Sequence, residues 1–121
     1  MKLLVGIERS DRTPQVLETA VERARTGDGS LTVAVVETGN GPSLDHLEQE
    51  VCDHLSSLSF DAEVRSLSGH AGSQLVDLAE EEDFDGIILD GGQTSPLGKI
   101  QIDDATEFVL LNASITVTLV R

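Results

Sequence analysis

At 121 residues the chain has room for one domain, residues 1–121, with a sizeable core, and no room for two. It sets 22 carboxylates against 8 lysines and arginines, a net charge of −14, and that field repels nucleic acid and anionic lipid. Apolar runs such as Val33 to Val36 and Ile87 to Leu89 fall far short of the roughly 20 residues a membrane helix needs, so no membrane partner is expected either.

The start, Met1-Lys2-Leu3-Leu4-Val5-Gly6-Ile7-Glu8-Arg9, has neither the apolar length nor the cleavage site of a secretory leader. A cytoplasmic location is the expectation. The single cysteine, Cys52, cannot form an intramolecular disulfide and agrees with a reducing compartment. Acidic, aromatic-poor chains can be disordered, but strong apolar runs alternate here with amphipathic segments. The excess acid instead suits a protein kept soluble in a salt-rich cytoplasm, where screening shortens the Debye length to about 3 Å at 1 M. That reading requires an unfolding midpoint that climbs with KCl concentration.

In chain order, Lys2 to Ile7 is an apolar run without alternation, as in a strand covered on both faces. Thr13-Pro14 supplies an N-cap and a first-turn proline, after which Val16, Leu17, Ala20, Val21 and Ala24 share one helix face that ends at Gly27. Ser30 to Glu37 is a second buried strand, followed by the Gly39-Asn40-Gly41-Pro42 loop. Ser43 caps a second helix with Leu44, Leu47, Val51, Leu55 and Leu58 along its core stripe. Ala62 to Leu67 alternates like a half-exposed edge strand.

Ser73 is expected to open a third helix running through Glu82, with Leu75, Val76 and Ala79 inward, before a strand at Gly86 to Leu89. Asp103 or Asp104 opens a fourth helix to Asn112, and Ile115 to Val120 is the last strand. Strands separated by helices of about ten residues or more predict an α/β fold, a doubly wound parallel sheet. The stretch from Asp90 to Ile102 is unusually long for a strand-to-helix connection, and such loops at carboxyl strand ends are where open α/β sheets bind ligands.

Five stretches together carry a resemblance. They are Leu3-Leu4-Val5-Gly6-Ile7-Glu8-Arg9-Ser10, Gly69-His70-Ala71, Asp85-Gly86-Ile87-Ile88-Leu89, Ser95-Pro96-Leu97-Gly98-Lys99 and Glu107-Phe108-Val109-Leu110-Leu111-Asn112. In order and spacing the chain resembles the universal stress proteins, small α/β domains many of which bind ATP and form dimers. The resemblance implies an open five-stranded parallel sheet in the order 3-2-1-4-5, helices on both faces, of the adenine nucleotide alpha hydrolase-like type. It also implies a halophilic archaeal-type member with a degenerate ATP motif.

ATP-binding relatives follow the fourth strand with glycine, two residues, glycine, nine residues, then glycine and serine or threonine. Those places fall here on Asp90, Gln93, Asp103 and Asp104, and every one departs. Glycine lets backbone amides reach phosphate oxygens, and the helix amino terminus supplies a positive dipole end. Aspartate replaces both space and neutrality with bulk and negative charge. Asp103 and Asp104 also have a structural reading, since Asp104-Ala105-Thr106-Glu107 has capping-box spacing. By the same resemblance Glu8 stands where relatives carry an aspartate near adenosine, and Arg9 replaces a glycine. Arg9 and Lys99 are the nearby cations, with ion pairing to Asp90 or Asp103 as their plainer role.

Other motifs are weaker. Gly98-Lys99 is preceded at the P-loop distance by Gln93 and followed by Ile100, so the Walker pattern fails at both ends. His46, Glu50 and His54 share a helix face and could ligate a metal, a pattern a solvated polar face explains equally well. Ser10 and Thr94-Ser95 have no histidine or lysine at motif spacing, and no catalytic residue is assigned.

The expected vestigial pocket therefore comprises Glu8, Arg9, Asp90, Gln93, Lys99, Asp103 and Asp104. The leading expectation is a non-enzymatic stress-response interaction or signalling protein without a cofactor, acting on an unknown protein partner. The alternatives are an ATP-binding switch or weak ATPase, and a site holding Mg²⁺ between Asp90, Asp103 and Asp104. The final strand, Ile115 to Val120, carries no proline or acid to block edge pairing, and the resemblance implies a homodimer through it.

Overall fold

The computed structural model describes residues 1–8, 13–36, 43–91, 93–94, 100–101 and 104–120. Its elements are β1 (Lys2–Ile7), α1 (Thr13–Thr26), β2 (Ser30–Val36), α2 (Leu44–Ser57), β3 (Glu63–Leu67), α3 (Ala71–Glu81), β4 (Gly86–Asp90), β5 (Gln93–Thr94), β6 (Ile100–Gln101), α4 (Asp104–Asn112) and β7 (Thr116–Val120). Five strands form a sheet in the order β3-β2-β1-β4-β7, parallel at every pairing. This is the order the resemblance implied, with β7 as its fifth strand.

The topology follows from crossover handedness. Two right-handed steps carry the chain from β1 to β3 and place α1 and α2 on one face; the return to β4 and β7 places α3 and α4 on the other. Successive residues of β1 accordingly enter different cores. Leu3, Val5 and Ile7 pack with Val16, Leu17 and Val51, while Leu4 packs with Leu75, Ile87 and Val109. The unbroken apolar runs of β1 and β2 are thus strands buried on both sides, as their patterns predict. β3 alternates exposed and half-buried residues at one edge of the sheet.

The helices end in a shared device. Asp28, Ser59 and Asp83 all hold positive φ, between 51° and 54°. After each, the next amide reaches back five residues: Gly29 to Ala24 (2.8 Å), Phe60 to Leu55 (3.1 Å) and Phe84 to Ala79 (2.9 Å). These are Schellman-type stops. Gly27, expected to close α1, follows its last residue, but the left-handed position is Asp28.

Two helix starts differ from expectation and one matches it. α1 already includes Thr13, which is buried rather than standing outside as a cap. Ser43 does cap α2, its hydroxyl accepting the His46 amide at 3.2 Å. α3 begins at Ala71, ahead of Ser73, because His70 Nδ1 accepts the Ser73 amide at 3.0 Å and acts as the N-cap. Within the long connection after β4, Gln93–Thr94 and Ile100–Gln101 pair antiparallel as a two-stranded sheet. Strands of two residues leave no periodicity to read.

At the amino end of the sheet the chain is stitched by charge. The Lys2 amide donates to Asp85 Oδ2 (2.6 Å) and Lys2 Nζ to the Glu82 carbonyl, with the ammonium over the Phe84 ring at 4.5 Å. Arg65 pairs with Glu63 and, bidentately, with Glu82. Arg25 closes α1 onto the Leu58 carbonyl and the Phe60 ring.

Candidate functional site

In doubly wound sheets the ligand crevice opens at the carboxyl strand ends where neighbouring strands send their chains to opposite faces. Here β1 continues into α1 on one face and β4 leads toward α4 on the other. β1 and β4 run in register, Val5 beside Ile88, so Asp90 stands level with Ile7 and Glu8 one residue beyond. Both side chains are half-buried at adjacent strand ends. Asp90 engages partners within the chain. Gly91 is buried and prolongs the ladder, donating to the Val120 carbonyl at 2.7 Å.

The described cations are committed elsewhere. Lys2, Arg25 and Arg65 make the contacts given above, and Arg23 lines a different cavity. Of the expected pocket residues, the structure brings Glu8 and Asp90 together at the switch point and places Asp104 in the first turn of α4. Gln93 lies in β5, paired with Gln101. Arg9, Lys99 and Asp103 lie outside the described residues.

Asp104 is exposed and lies within α4 as its first residue, so a capping box with Asp104 as its N-cap does not hold. The dipole part of that reading stands. Asp104 and Glu107 put acid in the first turn of α4, the end where helices favour negative charge.

His70 does more than cap α3. Its ring meets Phe108 of α4 edge-on, with centroids 4.8 Å apart. Two residues on, a Cβ on Gly72 would lie 2.7 Å from Phe108 Cβ and 3.0 Å from the Ala105 carbonyl oxygen. Only glycine allows the first turns of α3 and α4 so close. The signal was the Gly69-His70 pair three residues ahead of Ser73, with Gly69 at φ 88°.

His46, Glu50 and His54 do not assemble a centre, and no group of three metal-binding side chains occurs among the described residues. His46 Nε2 is 4.0 Å from Glu50, and His46 is 64% exposed. Cys52 is exposed. A cavity of about 620 Å³ lies between α1 and the amino half of β4 and β7, lined by Thr19, Arg23, Gly86, Ile88 and Thr118 among others. Neither Glu8 nor Asp90 borders it.

An open five-stranded parallel sheet with helices on both faces defines the doubly wound α/β class. Within that class the chain belongs to the Universal stress protein family, which it matches over residues 1–121. It is similar to a universal stress protein from Archaeoglobus fulgidus at 25% identity, covering 100% of this chain and 98% of that one with a TM-score of 0.72. A universal stress protein in complex with cAMP shares the fold at 21% identity, 100% and 96% coverage and a TM-score of 0.78. So does the Archaeoglobus fulgidus protein in complex with dAMP, at 24% identity, 100% and 98% coverage and a TM-score of 0.67. No curated protein sequence matches the chain.

Proposed function

We propose that this chain is a non-enzymatic, dimeric interaction protein of the stress response, with a nucleotide crevice too acidic to hold a triphosphate in the usual way. The observation that carries this is the pairing of Glu8 and Asp90 at adjacent strand ends, with Asp104 in the first turn of α4. Like charges about 4 Å apart cost roughly 1 kcal/mol in water and about 4 at an effective dielectric near 20. A micromolar ligand has only about 8 kcal/mol to lose. The charge of −14 supports a salt-rich cytoplasm as its setting. The edge position of β7 and its lack of charged side chains support self-pairing.

A second reading has its own support. Solved relatives carry cAMP and dAMP, ligands with one phosphate in place of three. A nucleoside monophosphate would meet less repulsion, with Glu8 free to accept a hydrogen bond from the ribose or base.

Calorimetric titration with ATP, AMP and cAMP, with and without Mg²⁺, at low and molar KCl, separates these readings. Silence with all three ligands is the expected result. Heat with AMP or cAMP but not ATP selects the monophosphate reading. ATP binding as tight as AMP binding without Mg²⁺ overturns the acid-exclusion argument, and binding only with Mg²⁺ would mean that the carboxylates hold a cation.

A further inference from the structure

His70 joins α3 to α4 through one ring. Its Nδ1 accepts the Ser73 amide at 3.0 Å, while its carbonyl takes the Gln74 amide at the start of the helical ladder. The same imidazole meets Phe108 edge-on, so cap and aromatic contact are set by a single rotamer. Beside it, Gly72 lets the first turn of α3 rest on Phe108 and the Ala105 carbonyl. His70 itself is exposed and open to protons from solvent.

Capping by Nδ1 uses its lone pair, and therefore the neutral ring with hydrogen on Nε2. A further proton has only Nδ1 to occupy. There it turns an acceptor into a donor that faces another donor, the Ser73 N–H. It also sets a cation at the amino end of a helix, where positive charge is disfavoured. Imidazole is the side chain whose ordinary value puts such a change between about pH 5 and 8.

We propose that His70 is a proton-sensitive latch: neutral, it closes the first turn of α3 and holds it to α4; protonated, it swings out and releases both contacts. The inference stands apart from the function proposed above, because it needs neither a nucleotide nor a dimer. Among the described residues, the charged groups on the two helices around the ring are all carboxylates. α4 carries Asp104, one turn before Phe108, and Glu107; α3 carries Asp77, Glu80 and Glu81 beyond its first turn. Leu67, Ser68 and Gly69, which lead into the cap, are uncharged. Asp104, Glu107 and Asp77 are exposed, so a released imidazolium meets acid where the capped one meets N–H donors. Release loosens α3 from α4 at the carboxyl end of the sheet, the end that carries Asp90 and Asp104.

NMR of the whole chain in molar KCl, from about pH 8 to about pH 5.5, tests the latch. Ring nitrogen shifts follow the protonation of each histidine, and Ser73 amide exchange, corrected for its intrinsic rate, follows the cap. His46 and His54, on α2 against the opposite face of the sheet, are internal controls. At the alkaline end His70 is expected to carry its hydrogen on Nε2, with the Ser73 amide protected. As the ring protonates, that protection should fall about fivefold, the ordinary worth of a lost N-cap, and the Phe108 ring resonances should move with the same midpoint. In His70→Asn, which caps without titrating, both responses should vanish; in His46→Gln and His54→Gln they should persist. Ser73 protection that ignores His70 protonation would overturn the latch, as would a His70 ring still neutral at the acid end or a response retained in His70→Asn. A fall shared by all core amides would assign the change to global unfolding and overturn it too. Phe108 resonances that stay fixed while Ser73 opens would overturn the link to α4.

Discussion

At the amino end of the sheet, charged groups find partners: the Lys2 amide meets the Asp85 carboxylate, the Lys2 ammonium meets the Glu82 carbonyl, and the Arg65 guanidinium meets the Glu63 and Glu82 carboxylates. At the carboxyl end, Glu8, Asp90 and Asp104 stand at strand and helix termini, while close packing of uncharged groups holds the helices. There Gly72 admits Phe108, and His70 caps α3 while meeting the same ring edge-on. The contrast separates two jobs. One end is neutralised to close the fold, and the other gathers acid at strand and helix ends while uncharged groups bring its helices together. If that division is right, the two ends should respond to different perturbations.

The largest effect is expected from Gly72→Ala. A methyl group there would press on a backbone carbonyl at 3.0 Å and a Cβ at 2.7 Å, and neither can swing aside as a flexible side-chain tip would. Overpacking of this kind costs typically about 1–3 kcal/mol, and the upper half of that range is expected from urea unfolding, independent of pH and salt. A midpoint unchanged from wild type would mean that α3 and α4 are free to separate. His70→Ala removes the acceptor for the Ser73 amide and should cost about 1 kcal/mol, the ordinary worth of a lost N-cap. His70→Asn, which restores an acceptor, should recover most of it. A loss that asparagine leaves unrecovered would assign His70 to packing on Phe108 instead.

How much of this was legible in the sequence depended on the physics each feature uses. Burial on both faces leaves a continuous apolar run, so β1 and β2 could be read directly, as could the stripe of Leu47, Val51 and Leu55. Ser43 was legible because a hydroxyl is a preferred cap. His70 was not, since an imidazole acts as a cap only where its neutral Nδ1 happens to face the helix. Asp28, Ser59 and Asp83 gave no glycine to mark the left-handed turns. The strand order that the family resemblance implies sets the switch point between β1 and β4, and that order puts Glu8 and Asp90 at adjacent strand ends. The two-residue strands β5 and β6 were beyond reach, because their pairing is set across the loop and not along it.

The smallest effect, and the one that tests the amino end, is expected from Glu82→Gln. The hydrogen bonds from Arg65 hold the Glu82 carboxyl below its usual range, opposed by partial desolvation and helped by the charges of Arg65 and Lys2. A carboxyl depressed in the folded chain stabilises it at pH values above the unfolded value, about 4.3, and that stabilisation disappears as pH falls through the lower folded value. Arg65 and Glu82 are each about one-third exposed, so solvent and salt screen the pair and the effect should be smaller than that of His70→Ala. The difference in urea midpoint between wild type and Glu82→Gln should therefore be greatest above about pH 5 and shrink progressively as pH falls below the unfolded value. It should also shrink as KCl rises, unlike the losses at Gly72 and His70. A difference that stayed constant across that range would assign the Glu82 contribution to neutral hydrogen bonding and packing, and the two ends of the sheet would then differ in composition but not in the kind of force that holds them.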